Sequence, residues 1–192
     1  MQLNFSQMYR YNEMSSKRIL VVDIETTGLK PKKDLIVEIG IVELDLETGN
    51  KKIVYNKLVK EESFGEQHSD SWVFNNSDLK YDDVLNASEL NIEEIQQIMN
   101  DNLVTAYNKS FDFGFLKSRG LIITELPCPM MLMTPICKLP GNFGNYKWPS
   151  VQEAWDFLFK ETDYVELHRG ADDALHEADI VYELYKRGVF FS

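Results

Sequence analysis

No apolar run in this chain approaches the roughly 18 residues that a membrane-spanning helix needs, which excludes a helical membrane protein. The opening residues, Met1-Gln2-Leu3-Asn4-Phe5-Ser6, lack the basic region and apolar stretch of a secretory signal, so the expected compartment is the cytoplasm. Cysteine is nearly absent. Cys128 and Cys137 have no second Cys or His pair at zinc spacing, and buried free thiols in a reducing compartment are expected. Positive charge is scarce too: 20 Lys and Arg stand against 31 Asp and Glu, a net charge of -11. That balance excludes a broad electropositive groove for a long duplex, because phosphate binding rests on Lys and Arg and the counterions they displace. It leaves room for a site that grips only the end of one strand. Four carboxylates gathered there would account for four of the charges, and bound divalent cations would reverse the local sign.

What the chain does have is an ordinary globular composition, 44% hydrophobic and 27% charged over 192 residues, enough for one well-buried domain. Residues 1–17 are polar with scattered aromatics (Phe5, Tyr9, Tyr11) and read as an appended arm, leaving residues 18–192 as the domain. Ile19-Leu20-Val21-Val22 reads as a buried strand, followed by strands over residues 35–44 and 52–59 in an antiparallel meander. The next thirty residues are irregular, with Trp72-Val73-Phe74 as the apolar anchor. A helix capped by Asn91 is expected over residues 92–99, a strand over 103–107, and a helix over 111–119 closed by Gly120. Met130-Met131-Leu132-Met133 resembles a short buried strand, with Thr134-Pro135 opening the next helix. Ser150 and Glu153 form a capping box for a helix through Phe159. Ala171, Ala174, Leu175, Ala178, Val181, Tyr182 and Tyr185 trace the apolar stripe of a last helix ended by Gly188. The pattern predicts an α/β fold, a mixed five-stranded sheet flanked by helices.

The chemistry begins at Asp23-Ile24-Glu25-Thr26-Thr27-Gly28. Side chains at i and i+2 of a strand share a face, so Asp23 and Glu25 project together while Ile24 turns into the core. Adjacent hard carboxylates suit magnesium or manganese. Asp112 falls in the first turn of a helix directly after a strand. His168 lies in the loop before the last helix, and Asp173 follows five residues later, off the apolar stripe; Asp172 is adjacent, but the five-residue spacing favours Asp173. His68 and His176 belong to no such pattern. Trp148 and Trp155 are expected to pack in the core, although Asn145-Tyr146-Lys147-Trp148 could offer aromatic rings and a cation to a single strand.

These three segments, in this order over roughly residues 17–188, resemble the DEDDh family of 3′-to-5′ exonucleases. The resemblance implies a ribonuclease H-like fold and a catalytic set of Asp23, Glu25, Asp112, His168 and Asp173. The four carboxylates would hold two Mg²⁺ or Mn²⁺ ions and His168 would act as general base. It also implies that Thr26 and Thr27 line the pocket for the terminal nucleotide, that Leu29 wedges against its base, and that Asn108 and Phe111 border the pocket. Gly170-Ala171 stands where the family more usually has Ala-Leu. The implied partner is the 3′ end of single-stranded DNA or RNA, with DNA slightly favoured. Short RNA, a non-catalytic binding module, and a proofreading partner of a polymerase docked through residues 1–17 or 61–90 are the alternatives. Dimers among relatives make a homodimer a further expectation.

Overall fold

In the computed structural model of the chain, residues 17–160 and 165–191 are described. The expected arm therefore lies outside the described residues apart from Lys17. Strands β1 (Arg18–Thr26), β2 (Ile36–Asp45) and β3 (Lys51–Lys60) form the antiparallel meander. The β2-to-β3 turn closes on Gly49, whose φ of 76° favours glycine, and on Asp45, whose Oδ1 accepts from the N–H groups of Glu47 and Thr48. Strand β5 (Leu103–Thr105) runs parallel to β1 on its other side. Two further strands, β4 (Ser88–Glu89) and β6 (Thr124–Glu125), complete a mixed sheet of six in the order β4-β3-β2-β1-β5-β6. The sequence reading of five strands missed these edges because two residues carry no periodicity.

Two short helices, α1 (Trp72–Asn76) and α2 (Tyr81–Leu85), fill the segment expected to be irregular, gathering Val73, Leu79 and Val84 with Leu35, Val37 and Phe64 into a small satellite core. Helix α3 (Ile92–Met99) is capped as expected, Asn91 Oδ1 accepting from the Glu94 N–H at 3.0 Å. Helix α4 (Lys109–Ser118) begins two residues before its expected start. The strand expected at Met130–Met133 is instead the first half of α5 (Pro129–Cys137), which begins at Pro129 and contains Pro135. Four apolar residues fit either element, and the proline that marks the start was the earlier of the two. Helix α6 (Val151–Phe159) carries the Ser150–Glu153 capping box, and α7 (Gly170–Lys186) is the long final helix.

The sheet separates two cores. Ile19 and Val21 of β1 face α5, α6 and α7, with Met133, Trp155, Ala174, Ala178 and Val181 among the buried residues there. Leu20, Val22 and Ile24 face α3 and α4, against Ile95, Phe113 and Leu116. Alternation along β1 therefore carries Asp23 and Glu25 onto the α7 face. Helix α7 approaches β2 so closely that a Cβ placed on Gly40 would lie 2.1 Å from the Gly170 carbonyl carbon. Cys128 and Cys137 are free thiols, half-buried rather than enclosed. Trp155 is buried, whereas Trp148 is 63% exposed and is not a core residue.

Candidate active site

The site forms where the end of β1, the first turn of α4 and the first turn of α7 meet. Glu25 lies opposite Glu38 in the β1–β2 register, and Asp23 lies opposite Gly40. Glu38 is only 2% exposed and is satisfied from α7: the Arg169 Nε and Nη2 donate to its two oxygens at 3.0 Å each, and the Gly170 N–H donates at 3.2 Å. This clamp fixes the entry to α7 over β1. The Arg169 N–H in turn donates to Asp173 Oδ2 at 2.8 Å, orienting that carboxylate. His168, with φ 54° in the left-handed region, is packed edge-on against Trp72 with 4.9 Å between ring centroids. A left-handed histidine is uncommon, and the clamp at Arg169 together with the tryptophan ring holds it there.

One ligand atom each from Glu25, His168 and Asp173 lies within 4.8 Å of the others. Asp112 and Asp173 are buried, and Asp23, partly buried, turns a fully buried Oδ2 inward with no hydrogen-bond partner among the described residues. The protonation behaviour follows from this crowding of like charge. Burial, then the carboxylates of Asp173 and Glu38, pushes Glu25 up to about 9. Burial raises Asp112 to about 7 against the pull of backbone N–H groups at Asp112 and Ile24. Asp23 is raised well above the ordinary carboxylate range by burial, followed by Glu177, Glu25, Asp112 and Asp173. Burial likewise raises Asp173. Hard oxygens this close, destabilised as anions by one another and including an orphaned oxygen, fit divalent cations such as Mg²⁺ or Mn²⁺.

Beside this cluster a cavity of about 440 Å³ is lined by Ile24, Glu25, Thr26, Gly28, Leu29, Trp72 and Phe111. Three of the pocket residues expected from sequence, Thr26, Leu29 and Phe111, thus line one cavity. The Thr26 hydroxyl donates to the Gly28 carbonyl at 2.7 Å, shaping the turn. Thr27 is outside the lining: its hydroxyl accepts the Leu35 N–H at 2.9 Å and braces the chain between β1 and β2. Asn108 is exposed at the N-terminus of α4, also outside the lining, and its carbonyl accepts the Phe111 N–H at 2.8 Å. His176 packs edge-on to Trp155 at 5.1 Å, away from the cavity.

Sequence reasoning missed several groups here. Glu177, 4% exposed, is raised well above the usual range by burial and then by Asp112, and its Oε2 accepts the Tyr107 N–H at 3.2 Å. Its signal was available, since it lies four residues after Asp173 and therefore on the same helical face. Glu166 is raised by burial and then by Asp173. Trp72 and the Glu38–Arg169 pair had no legible signal, because each depends on contacts between segments far apart in sequence.

A family model described as Exonuclease, that of RNase T, matches residues 20–181. The PolC-type DNA polymerase III of Clostridium perfringens is 26% identical over 184 residues, covering 92% of this chain and 12% of that protein. The epsilon subunit of DNA polymerase III from Buchnera aphidicola is 26% identical over 180 residues, covering 88% of this chain and 69% of that protein. The chain thus spans about an eighth of the length of the PolC-type relatives. Among solved structures, the nuclease domain of 3′hExo, a DEDDh family member bound to rAMP, superposes with a TM-score of 0.65 at 14% identity, covering 93% of this chain and 96% of that one. Escherichia coli Exonuclease I in complex with a dA16 oligonucleotide gives 0.66 at 10% identity, covering 92% and 42%. At these identities the structural likeness is one of fold, the ribonuclease H-like fold.

Proposed function

Because this chain belongs to the RNase T family of exonucleases, we propose that it is an enzyme of the DEDDh type that hydrolyses the terminal phosphodiester at the 3′ end of single-stranded nucleic acid and releases nucleoside 5′-monophosphates. The observation that carries this reading is the convergence of Glu25, His168 and Asp173 within 4.8 Å, backed by the partly buried Asp23 and the buried Asp112, beside a cavity of nucleotide size. Asp23, Glu25, Asp112 and Asp173 are the residues to hold two Mg²⁺ or Mn²⁺ ions. When bound, these cations supply Lewis-acid polarisation of the scissile phosphate and of the attacking water. His168 accepts the proton of that water as general base, its ring held by Trp72. Leu29, 80% exposed, and Phe111 offer apolar surface to the terminal base. Thr26, at the cavity wall, is placed to meet the sugar, with Thr27 and Asn108 supporting the two turns that frame the pocket.

The polymerase relatives support DNA over RNA as the substrate, and they favour a second reading in which the same activity proofreads for a polymerase partner. The test is digestion of matched 5′-labelled single-stranded DNA and RNA with Mg²⁺ or Mn²⁺, alongside EDTA and Asp23→Ala controls. A ladder shortening from the 3′ end and abolished by both controls supports the reading. Intact oligomers with every metal would move it to a binding module without catalysis, and coelution with a polymerase separates the proofreading partner from a free-standing enzyme.

A further inference from the structure

The connection from α5 to α6 is unlike the rest of this acidic chain. No Asp or Glu occurs between Glu125 and Glu153, while Lys138 and Lys147 lie inside that interval. Residues 139–147 fold back as a short hairpin: Pro140 bridges Tyr146, the Gly141 N–H donates to the Asn145 carbonyl at 2.9 Å, and the Lys147 N–H donates to the Leu139 carbonyl at 3.1 Å. At its tip Phe143 is fully exposed and adopts φ 58°, ψ 30°, a left-handed conformation unusual for a bulky residue. Tyr146 and Trp148 are 49% and 63% exposed. The three solvent-facing rings are interleaved with Gly, Asn and Lys rather than with aliphatic residues.

The hairpin is tied to the active site through one residue. Tyr107 donates its N–H to Glu177 at the floor of the carboxylate cluster, while its Oη bonds the carbonyls of Pro149 and Ser150 at 3.1 and 3.0 Å, where the hairpin ends. The Tyr107 carbonyl also accepts the Met130 N–H in the first turn of α5. From there α5 runs nine residues, about 13 Å, before the hairpin starts and returns to the same tyrosine. The cavity beside Glu25 draws Ile24 and Phe111 from the α3/α4 side of the sheet, whereas α5 and α6 lie on the other side. A strand whose 3′ nucleotide fills that cavity would meet the hairpin if it crosses the carboxylates to the α5/α6 side.

We propose that this hairpin is a stacking platform for the single strand upstream of the scissile bond, with bases on Phe143, Tyr146 and Trp148 and phosphates beside Lys138 and Lys147. This rests on the exonuclease reading and specifies how the enzyme grips more than its last nucleotide. Lys147 is already paired with Glu153 at 2.5 Å, so Lys138 carries most of the phosphate attraction. Base stacking on an exposed ring supplies grip without sequence preference, which suits an enzyme that must translocate along any strand.

The test measures binding of the full chain, with Ca²⁺ in place of Mg²⁺, to a labelled single-stranded trinucleotide and dodecamer by fluorescence anisotropy. The expected result is that Phe143→Ala and Trp148→Ala each reduce the ratio of dodecamer to trinucleotide affinity by about tenfold. Lys138→Ala should lower the slope of log Kd against log salt for the dodecamer by about 0.7. Ratios and slope equal to those of the unsubstituted protein overturn the platform. So does a concentration-dependent dimer in sedimentation that Phe143→Ala dissolves, which would make a second copy the occupant. Turnover of the trinucleotide by the unsubstituted protein with Mg²⁺ reports separately on the exonuclease reading, so the two can fail independently.

Discussion

Without divalent cations, this protein should lose stability as the pH rises. Glu25 titrates near 4.5 in an unfolded chain and near 9 in the fold, so between those values the folded state holds a proton that the unfolded state has released. Each pH unit then removes about 1.4 kcal/mol from the stability, or about 4 kcal/mol between pH 5 and 8 for a fully enclosed group. Glu25 keeps some solvent contact, and halving the figure for screening leaves about 2 kcal/mol. Asp112, raised to about 7, works in the same direction below that pH. Carboxylates held down by their partners, among them Asp45, Glu125, Glu153 and Glu183, behave oppositely. Their stabilisation is complete above the unfolded values near 4 and is lost only at more acidic pH, outside this window. Thermal unfolding in EDTA followed by tryptophan fluorescence should give a Tm lower by about 4–8 °C at pH 8 than at pH 5, for about 2 kcal/mol in a domain of this size. Mg²⁺ at about a hundred times its Kd should add about 2.7 kcal/mol at pH 8. Glu177, itself raised well above the usual range by burial, works in the same direction; Glu177→Gln removes that titration while keeping an acceptor for the Tyr107 N–H, and should flatten the dependence. A Tm in EDTA that rises from pH 5 to 8, or a slope unchanged by Glu177→Gln, would mean that the fold does not hold these carboxyl groups protonated.

Other substitutions probe how the site is assembled. Glu38→Ala strands the Arg169 guanidinium and loosens the start of α7; urea unfolding should show a loss of about 3 kcal/mol, at the low end for a broken pair because Arg169 keeps some solvent. Gly40→Ala forces a Cβ into the Gly170 backbone, so a destabilisation of about 1–3 kcal/mol or more is expected, with nuclease activity falling as His168 and Asp173 are displaced; normal activity and an unchanged Tm would mean α7 does not seat there. His168→Ala should lower single-turnover cleavage by about 10²–10⁴ while leaving the Mg²⁺-dependent rise in Tm in place, and a rate within a few-fold of the unsubstituted protein would remove the histidine from its role as base.

The parts of the fold that repeat were legible in the sequence. The meander, the caps at Asn91 and Ser150, and the apolar stripe of α7 each carry a local period or a capping pair, and each stands where expected. The run at Met130–Met133 was ambiguous because its length suits both a strand and a helical turn, and β4 and β6 were too short to leave any period. At the site, Asp23 and Glu25 could be placed on one face from strand alternation, and His168 and Asp173 from their position around a helix start. Glu38, Arg169 and Trp72 could not, since burial of Glu38 by an arginine 131 residues away and contact of Trp72 with His168 arise only when distant segments meet. Thr27 adds a role the sequence did not show: the family resemblance implied a pocket residue, and its hydroxyl also accepts the Leu35 N–H between β1 and β2.

Digestion of single-stranded DNA by the Mg²⁺-loaded protein in water enriched in oxygen-18, followed by mass spectrometry of the products, reports both the polarity and the chemistry of cleavage. Hydrolysis from the 3′ end with water attacking the phosphorus predicts nucleoside 5′-monophosphates carrying one heavy oxygen on the phosphate, appearing in order from the 3′ terminus and absent with Asp23→Ala. Nucleoside 3′-monophosphates, release from the 5′ terminus, or an undegraded strand would contradict it.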